Sequence, residues 1–335
     1  MIGDDAVLTT AMRRRKLLLA CLGVAGCAGP RFHTTEAPPR PELYLPASEG
    51  SLPARAWFPA GQPEAVMLAL HGFNDSRDAW EIPAPHFAAA GIAVYAPDQR
   101  GFGQAPGRGR WPGQAMLLAD AAAMLRALAA IWPGVPLYAI GESMGGALLM
   151  VLAASGEAPP LAGWVLSAPA VWGRQQMGPA LSASLWLASN VAPAWLVTGN
   201  EIPLHVVATD NRAALLRLVR DPLTIHATRI DALRGLADLM DAAQAAAPKL
   251  PRRTLALYGG RDRIVPPEAM RRAWLAMPAG VRRALYPEGY HLLLRDHDRA
   301  APTGDILAWI AAPGRWLPSG ADANAAAWLA AANEG

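Results

Sequence analysis

A serine, an aspartate and a histidine occupy positions in this chain from which they could carry out nucleophilic catalysis. Ser143 lies in 141–146 (GESMGG), after the apolar run 137–140 and before a helix-forming stretch. Glycines two residues before and two residues after this serine permit a sharp turn, which would set its hydroxyl on a helix N-terminus. The free N–H groups and the positive dipole end there favour a developing oxyanion. The pattern predicts a nucleophile at Ser143.

A serine hydroxyl is a weak nucleophile without a base, and the base must be oriented by a third group. Asp262 lies in 258–266 (YGGRDRIVP), just after an apolar run, and His291 follows the next run. Ligands in open α/β sheets bind at the carboxyl ends of the strands, so we expect both side chains beside Ser143. His297 is a rival base, but it lies in the charged run 295–298 (RDHD), which predicts a solvated surface.

The surrounding sequence predicts an α/β fold. Short apolar runs alternate with helical patterns, which is typical of a mostly parallel, doubly wound sheet covered on both faces. Residues 42–46 and 52–58 flank a turn and predict an antiparallel hairpin at the start of the sheet. The predicted strands lie at 66–70, 92–96, 137–140, 164–166, 255–258 and 283–286, and the clearest helices at 116–131, 147–154 and 267–277.

Five motifs resemble the monoacylglycerol lipase/lysophospholipase branch of the α/β-hydrolase superfamily, in the order of that family. They are 71–73 (HGF), 98–103 (DQRGFG), 141–146 (GESMGG), 260–262 (GRD) and 289–291 (GYH). The resemblance covers about residues 42–313. It implies an α/β-hydrolase fold with an inserted helical cap, and a serine hydrolase that cleaves carboxylic esters of lipids.

The resemblance also implies a role for particular residues. Ser143 is the expected nucleophile, His291 the base and Asp262 the residue that orients it. An oxyanion hole needs two converging N–H donors, one from the residue after the nucleophile, Met144. In the family the second donor follows His-Gly, which is Phe73 here, and His71 then has a scaffold role. This chemistry requires no cofactor.

The sequence between the two halves of the predicted core is too long for an ordinary loop. We interpret 42–168 and 251–315 as the α/β-hydrolase core, 169–250 as a helical cap insertion and 316–335 as a C-terminal extension. The stretch 179–197 has no charged residue, and an apolar cap would suit an acyl chain, with Trp172, Met177, Trp186 and Trp195 as candidate substrate contacts. Ordinary helical packing is the alternative interpretation of this apolar stretch.

The N-terminus has the features of an export signal. Four bases at 13–16 precede an apolar run of ten residues at 17–26, which is far shorter than a membrane-spanning helix. The run closes as 24–27 (VAGC), which resembles a bacterial lipobox and predicts lipidation of Cys27. We therefore expect a signal peptide at 1–26, a Pro-rich tether at 27–41 and a lipid-anchored protein of the bacterial cell envelope, at the periplasmic face. A plain secretory signal with an incidental cysteine is the alternative.

Composition excludes several other classes. Hydrophobic residues make up 53% of the 335 residues and charged residues only 17%, which excludes a disordered chain. The net charge is +3, of which the first 26 residues carry +2, and no basic cluster interleaved with aromatics occurs, so we expect no nucleic-acid partner. The seven histidines show neither paired helical spacing nor a cysteine partner, which predicts no catalytic metal.

Two other functions fit the same residues. The triad could serve a short-chain carboxylesterase or an amidase instead of a lipase. Alternatively, the chain could be a non-catalytic binding protein anchored in the envelope, because a fold does not by itself imply activity. The intact set of triad residues and glycines argues against this second alternative.

Overall fold

A computed structural model describes residues 40–198 and 207–331 of the chain. The strands in this part are β1 (Leu43–Pro46), β2 (Ser51–Trp57), β3 (Ala65–Leu70), β4 (Ile92–Pro97), β5 (Leu137–Glu142), β6 (Gly163–Ser167), β7 (Leu196–Thr198), β8 (Ala227–Arg229), β9 (Thr254–Gly259) and β10 (Arg282–Tyr286). Eight of them form one sheet in the order β1-β2-β4-β3-β5-β6-β9-β10, and β7 and β8 form a separate antiparallel pair.

The large sheet is parallel except at its start. β2 pairs antiparallel with β1 and with β4, whereas the pairs from β4 through β3, β5, β6 and β9 to β10 are all parallel. Every residue of β3, β4 and β5 is buried, because helices cover both faces of the sheet. The predicted fold class, with its N-terminal hairpin, is confirmed.

Helices pack on the two faces of the sheet and form two hydrophobic clusters. One cluster contains Leu125, Leu148 and Leu239, and the other contains Phe87 and Ile306. The helices are α1 (Ala84–Ala89), α2 (Gln114–Ile131), α3 (Met144–Ser155), α4 (Arg174–Met177), α5 (Pro179–Val191), α6 (Arg212–Arg220), α7 (Ile230–Ala246), α8 (Pro267–Ala276), α9 (Ala300–Ala311) and α10 (Ala321–Ala330).

Among the described helices, α2 alone is long and apolar enough to span a membrane by length and composition. Its interactions are those of a core helix. Leu117 and Leu125 are buried in the hydrophobic cluster, and the Asp120 carboxylate accepts hydrogen bonds from Arg100 Nε at 2.7 Å and from the Ser48 backbone N–H at 3.0 Å. We assign α2 to the helix layer of the sheet.

The range predicted as a cap contains two kinds of structure. Helices α4, α5 and α6 and the β7–β8 pair lie between β6 and α7 in the chain. Helix α7 packs against α3, and its Leu239 and Ala243 are fully buried, so it belongs to the helix layer of the core. The β7–β8 pair was not predicted, because three-residue strands leave almost no alternation to detect.

The predicted C-terminal extension packs onto the core over its described part. Helix α10 contacts β10, and the Arg282 Nη1–Asp322 Oδ2 ion pair, 2.9 Å long, joins the two elements. The Trp328 ring lies 5.8 Å from the Tyr258 ring and 5.5 Å from the Trp274 ring, measured between centroids. This helix therefore closes one end of the larger hydrophobic cluster.

Candidate active site

Ser143 lies on a sharp turn between β5 and α3. Its backbone has φ +53° and ψ −114°, a conformation that non-glycine residues rarely adopt. Two hydrogen bonds hold this turn: the Ser143 N–H donates to the Ser167 carbonyl at 3.0 Å, and the Ala170 N–H donates to the Ser143 carbonyl at 2.9 Å. The loop after β6 thus stabilises the strained turn, and a strained residue held in this way is typical of a functional site.

The glycines around Ser143 are required by close backbone packing. A Cβ at Gly141 would lie 2.6 Å from the Gly146 backbone nitrogen, and a Cβ at Gly145 would lie 2.7 Å from the carbonyl carbon of Leu70. Side chains at these positions would therefore separate the turn from α3 and α3 from the end of β3. Their absence lets the N-terminus of α3 approach the loop after β3.

The loops after β9 and β10 are joined by their backbones. The Gly260 N–H donates to the Tyr286 carbonyl at 2.8 Å, and the Arg261 N–H donates to the Gly289 carbonyl at 2.9 Å. A Cβ at Gly260 would lie 3.0 Å from two backbone atoms of Pro287, so glycine permits this contact. The two loops carry Asp262 and His291, and their pairing fixes one residue relative to the other.

Asp262 and His291 form a buried hydrogen-bonded pair. His291 Nδ1 lies 2.7 Å from Asp262 Oδ2, and the two residues are 3% and 0% exposed. The other carboxylate oxygen of Asp262 accepts the backbone N–H groups of Ile264 at 2.7 Å and Val265 at 3.0 Å. With Nδ1 as the donor to the carboxylate, the neutral imidazole carries its lone pair on Nε2, which is the atom that a general base uses.

Opposing influences set the basicity of His291. Burial lowers the pKa of the imidazole, but the charge and hydrogen bond of Asp262, followed by the charge of Glu142, raise it by more. The resulting pKa lies above the ordinary value of 6.5. Glu142, the residue before Ser143, also pairs with Arg295, four residues after His291.

Two backbone N–H groups are available near Ser143. Within the described chain, neither the Phe73 nor the Met144 N–H has a protein acceptor. A Cβ at Gly72 would lie 3.4 Å from the Ser143 Cβ, so the loop that carries Phe73 packs directly on the turn. Unpaired donors at a helix N-terminus and in an adjoining loop are what an oxyanion hole requires.

His71 holds the loop that carries Phe73. Its Nδ1 lies 2.7 Å from the Gly72 carbonyl oxygen, and its Nε2 accepts the Gln99 backbone N–H at 3.0 Å. The ring is fully buried, and burial lowers its pKa, so it remains neutral and donates from Nδ1. Because the Gly72 carbonyl is bound on one side of the peptide, the Phe73 N–H points to the opposite side.

In the described chain, no hydrogen bond joins the Ser143 hydroxyl to His291 Nε2, and neither atom has another hydrogen-bond partner. The rival histidines lack the features of a base at this edge. His226 lies in the insertion. His297 and His86 are exposed, and no hydrogen bond from either of these two rings to a carboxylate is found in the described chain. His33 and His205 lie outside the described residues.

The charged run 295–298 differs from its prediction as a solvated surface. His297 and Asp298 are exposed, but Arg295 and Asp296 are 5% and 3% exposed. Arg295 Nη2 donates to Asp75 Oδ2 at 2.6 Å and also pairs with the Glu142 carboxylate. The prediction was wrong for these two residues, because the partners that bury them come from distant parts of the chain.

The predicted substrate contacts lie in two environments. Trp172 and Met177 are partly buried against the larger hydrophobic cluster, whereas Trp186 and Trp195 are 59% and 60% exposed. No hydrogen bond in the described chain joins any of the four to Ser143. The predicted lipidation site, Cys27, lies outside the described residues. Within 40–198 and 207–331, no group of three or more His, Cys, Asp or Glu side chains could hold a metal ion.

Fold and site together define the class of protein. A mostly parallel sheet that carries a serine on the strand–helix turn after β5, and an Asp–His pair on the loops after β9 and β10, is an α/β-hydrolase. The chain belongs to the Hydrolase_4 family, described as serine aminopeptidase, S33, whose family model matches residues 61–298. The predicted class, a serine hydrolase, is confirmed.

Comparison with characterised proteins agrees with the predicted branch. The chain is 26% identical over 269 residues to the monoacylglycerol lipase of Mycolicibacterium smegmatis, covering 76% of this chain and 90% of that one. It is 24% identical over 283 residues to the monoglyceride lipase of Rattus norvegicus, covering 80% and 89%.

Solved structures share the fold. The monoacylglycerol lipase of Paleococcus ferrophilus has a TM-score of 0.66 at 21% identity and covers 77% of this chain and 98% of its own. A soluble variant of the monoglyceride lipase from Saccharomyces cerevisiae, in complex with a substrate analogue, has a TM-score of 0.67 at 19% identity and covers 84% and 98%. A carboxyl esterase from Bacillus coagulans, in complex with glycerol, has a TM-score of 0.66 at 19% identity and covers 80% and 97%.

Proposed function

We propose that the protein hydrolyses carboxylic esters of lipids, with monoacylglycerols or lysophospholipids as substrates, through an acyl-enzyme on Ser143. The observation that carries this proposal is the buried 2.7 Å contact between His291 Nδ1 and Asp262 Oδ2 on the loops beside the strained Ser143 turn. An imidazole oriented by a buried carboxylate is the base that a serine nucleophile requires.

The first half of the reaction forms the acyl-enzyme. Ser143 Oγ attacks the ester carbonyl carbon while His291 Nε2 accepts the hydroxyl proton. The Phe73 and Met144 N–H groups bind the oxyanion, and removal of one such donor in other enzymes costs about 3 kcal/mol of barrier. The carbon–oxygen bond to the glycerol moiety then breaks, and His291 gives its proton to the leaving alkoxide oxygen.

The second half regenerates the enzyme. Water attacks the acyl carbonyl carbon and transfers a proton to His291 Nε2. The ester bond to Ser143 Oγ breaks, the fatty acid leaves, and Oγ takes the proton back from His291. In both halves Asp262 keeps the imidazole in the same tautomer and stabilises the imidazolium.

Substrate class is inferred from the relatives and from the insertion. The relatives from M. smegmatis and R. norvegicus are a monoacylglycerol lipase and a monoglyceride lipase. Helix α5 is uncharged, and several apolar side chains on it and on the segment that follows are exposed: Leu181, Trp186, Leu187, Val191, Trp195 and Leu196. Such a surface suits contact with acyl chains, and tryptophan is favoured where apolar and wet regions meet.

A short-chain carboxylesterase is the second candidate, favoured by the fold shared with the B. coagulans carboxyl esterase. Initial rates with p-nitrophenyl esters from acetate to palmitate, followed by monoacylglycerols, separate the two candidates. The lipase proposal expects kcat/KM to rise toward decanoate. A clear preference for acetate would contradict the lipase assignment and leave the esterase.

We further propose that Cys27 carries the lipid anchor and that the protein acts at the periplasmic face of a bacterial membrane. The lipobox-like 24–27 segment supports this, and an anchored enzyme would lie beside its lipid substrates. Expression of the full chain with its native start, followed by detergent phase partitioning, tests the anchor. Cys27→Ser should move the protein from the detergent phase to the aqueous phase, whereas equal partitioning of both forms would refute lipidation.

Covalent labelling tests the catalytic proposal itself. A fluorophosphonate probe should label the wild-type protein, and Ser143→Ala should abolish labelling and lower kcat by about 10⁴-fold or more. Ser155→Ala, an exposed serine at the other end of α3, is the matched control and should label as the wild type does. An unlabelled wild-type protein would favour the non-catalytic binding protein.

A further inference from the structure

One buried guanidinium joins three loops of the site. Arg295 lies four residues after His291, in the short helical turn Leu293–Arg295. It pairs with Asp75, 220 residues away on the loop after β3, and with Glu142, 153 residues away at the end of β5. Asp75 and Glu142 are 6% and 3% exposed. All three charged groups are therefore removed from water together.

Each of the three loops carries one group that takes part in the proposed reaction: an oxyanion donor, the nucleophile or the base. Phe73, with its N–H donor, lies two residues before Asp75, and Ser143 follows Glu142 directly. The loop 71–75, which carries Phe73, is called the oxyanion loop below. The Glu142 carboxylate also packs on it, because a Cβ at Gly72 would lie 3.9 Å from Glu142 Oε1. The ion pairs thus connect the donor, the nucleophile and the base.

We propose that Arg295 is a positioning residue that holds the oxyanion loop and the nucleophile turn in place around His291 and balances the charge beside this base. The proposal rests on the function proposed above. A guanidinium suits the task because its planar fork offers several donors and stays ionised when buried. Asn211 holds the backbone of Arg295 in turn, since its Nδ2 donates to the Arg295 carbonyl at 2.9 Å.

The charge balance is the part of the proposal with a measurable sign. Two carboxylates face one guanidinium, so the cluster has a formal charge of −1 next to an imidazole that becomes cationic during catalysis. Of its members, Glu142 raises the pKa of His291, and Arg295 lowers it. The cluster should therefore stabilise the imidazolium, with Arg295 limiting that effect.

Other charged groups lie around the base. Asp262 faces His291 from the loop after β9, and Glu142 and Arg295 face it from β5 and from its own loop. Asp296 accepts the Tyr290 N–H at 2.8 Å, and His71 lies near Asp75 and Arg295. After Asp262, Glu142 is the carboxylate whose charge raises the pKa of His291, so its replacement by an amide gives the most direct test.

The experiment compares the pH dependence of kcat/KM in four variants, with a p-nitrophenyl ester of the preferred chain length as substrate. The acid limb of this profile is the rise of kcat/KM with pH as His291 loses its proton. Glu142→Gln keeps an acceptor for Arg295 but removes the charge, so the acid limb should move to lower pH by about half a unit. Arg295→Met should move it to higher pH and lower kcat by about 10- to 100-fold, since two carboxylates lose their partner. Arg295→Lys keeps the charge and should restore the position of the limb.

A matched control separates positioning from general stability. Arg100→Met removes another largely buried arginine, which pairs with Asp120, and it should leave the acid limb where the wild type has it. The NMR titration of the His291 ring protons in wild type and Glu142→Gln gives the same shift without relying on turnover. It also serves if Arg295→Met does not fold.

The outcomes are distinct. Opposite shifts in Glu142→Gln and Arg295→Met support the proposal. Unchanged limbs and unchanged NMR titration in both Glu142→Gln and the arginine variants would overturn it, whatever the loss of rate. A wild-type protein that hydrolyses no ester contradicts the proposed function instead, and the NMR titration still decides whether the cluster sets the pKa of His291.

Discussion

Asn74 Nδ2 donates a 2.6 Å hydrogen bond to Thr228 Oγ1, which joins the oxyanion loop to strand β8 of the insertion. A second bond lies beside it, because the Ile225 N–H donates to the Asn74 carbonyl at 2.8 Å. Asn74 has φ +62° and follows Phe73 directly. The insertion therefore supports the loop that carries Phe73, one of the two proposed oxyanion donors.

Removal of this support should lower activity without unfolding the protein. Thr228→Val keeps the shape of the side chain but removes the acceptor, and the loss of one hydrogen bond of about 1 kcal/mol predicts a roughly 5-fold lower kcat. Thr303→Val, a buried threonine on α9 whose hydroxyl has no partner in the described chain, is the matched control and should keep its kcat. Equal rates for both variants would show that the cap contact does not position the loop.

The identity of the base can be tested with a pair of histidine variants. His291→Ala should lower kcat by several orders of magnitude, because it removes the imidazole that buried Asp262 orients and that we propose as the base. His297→Ala removes an exposed ring six residues away and should leave kcat unchanged. Steady-state kinetics and a thermal melt of each variant check this, and the reverse result would assign the base to His297.

Asp262→Asn tests the orientation of the imidazole. The amide can donate to Nδ1 and so favours the wrong tautomer, for which a fall in kcat of about 10³- to 10⁴-fold is expected. KM should change little, because Asp262 is fully buried and lies behind the ring. Asp298→Asn, an exposed carboxylate of the same region, provides the comparison and should behave as the wild type does.

The pH dependence should follow the raised pKa of His291. The base must be neutral to accept the Ser143 proton, so kcat/KM should rise through a midpoint above 6.5. The contribution of His291 to stability changes with pH in the opposite direction to activity. A folded-state pKa above the unfolded value stabilises the protein below pH 6.5, and that contribution is lost as pH rises through the folded pKa. Relative to His291→Gln, the wild type should gain unfolding free energy on acidification, measured by urea unfolding at several pH values.

Gly145 should be intolerant of any side chain. A Cβ there would overlap the Leu70 carbonyl and lie 2.8 Å from the His71 carbonyl oxygen, both of them backbone atoms. Gly145→Ala should lower the free energy of unfolding by about 1–3 kcal/mol. Gly304→Ala, in α9 with no atom within 4 Å of the new Cβ, should instead be neutral or stabilising by up to about 1 kcal/mol. Chemical denaturation of the two variants checks the contrast.

The sequence by itself determined the type of fold and predicted the chemistry-bearing positions. Ser143, Asp262 and His291 each follow a short apolar run, and both the turn glycines and the strand–helix alternation are local signals within a few residues. Because parallel strands bring their carboxyl ends to one sheet edge, this local information sufficed to predict that Asp262 and His291 lie together.

The tertiary structure alone decided which charged residues are buried and what they bind. Arg295 belongs to a charged run whose pattern predicts a solvated surface. Its partners Asp75 and Glu142 lie on loops that are brought together only by the order of strands in the sheet. The same holds for α7, which lies in the predicted cap range but packs on α3. Burial depends on what packs against a segment, and residue spacing within that segment does not encode its distant neighbours.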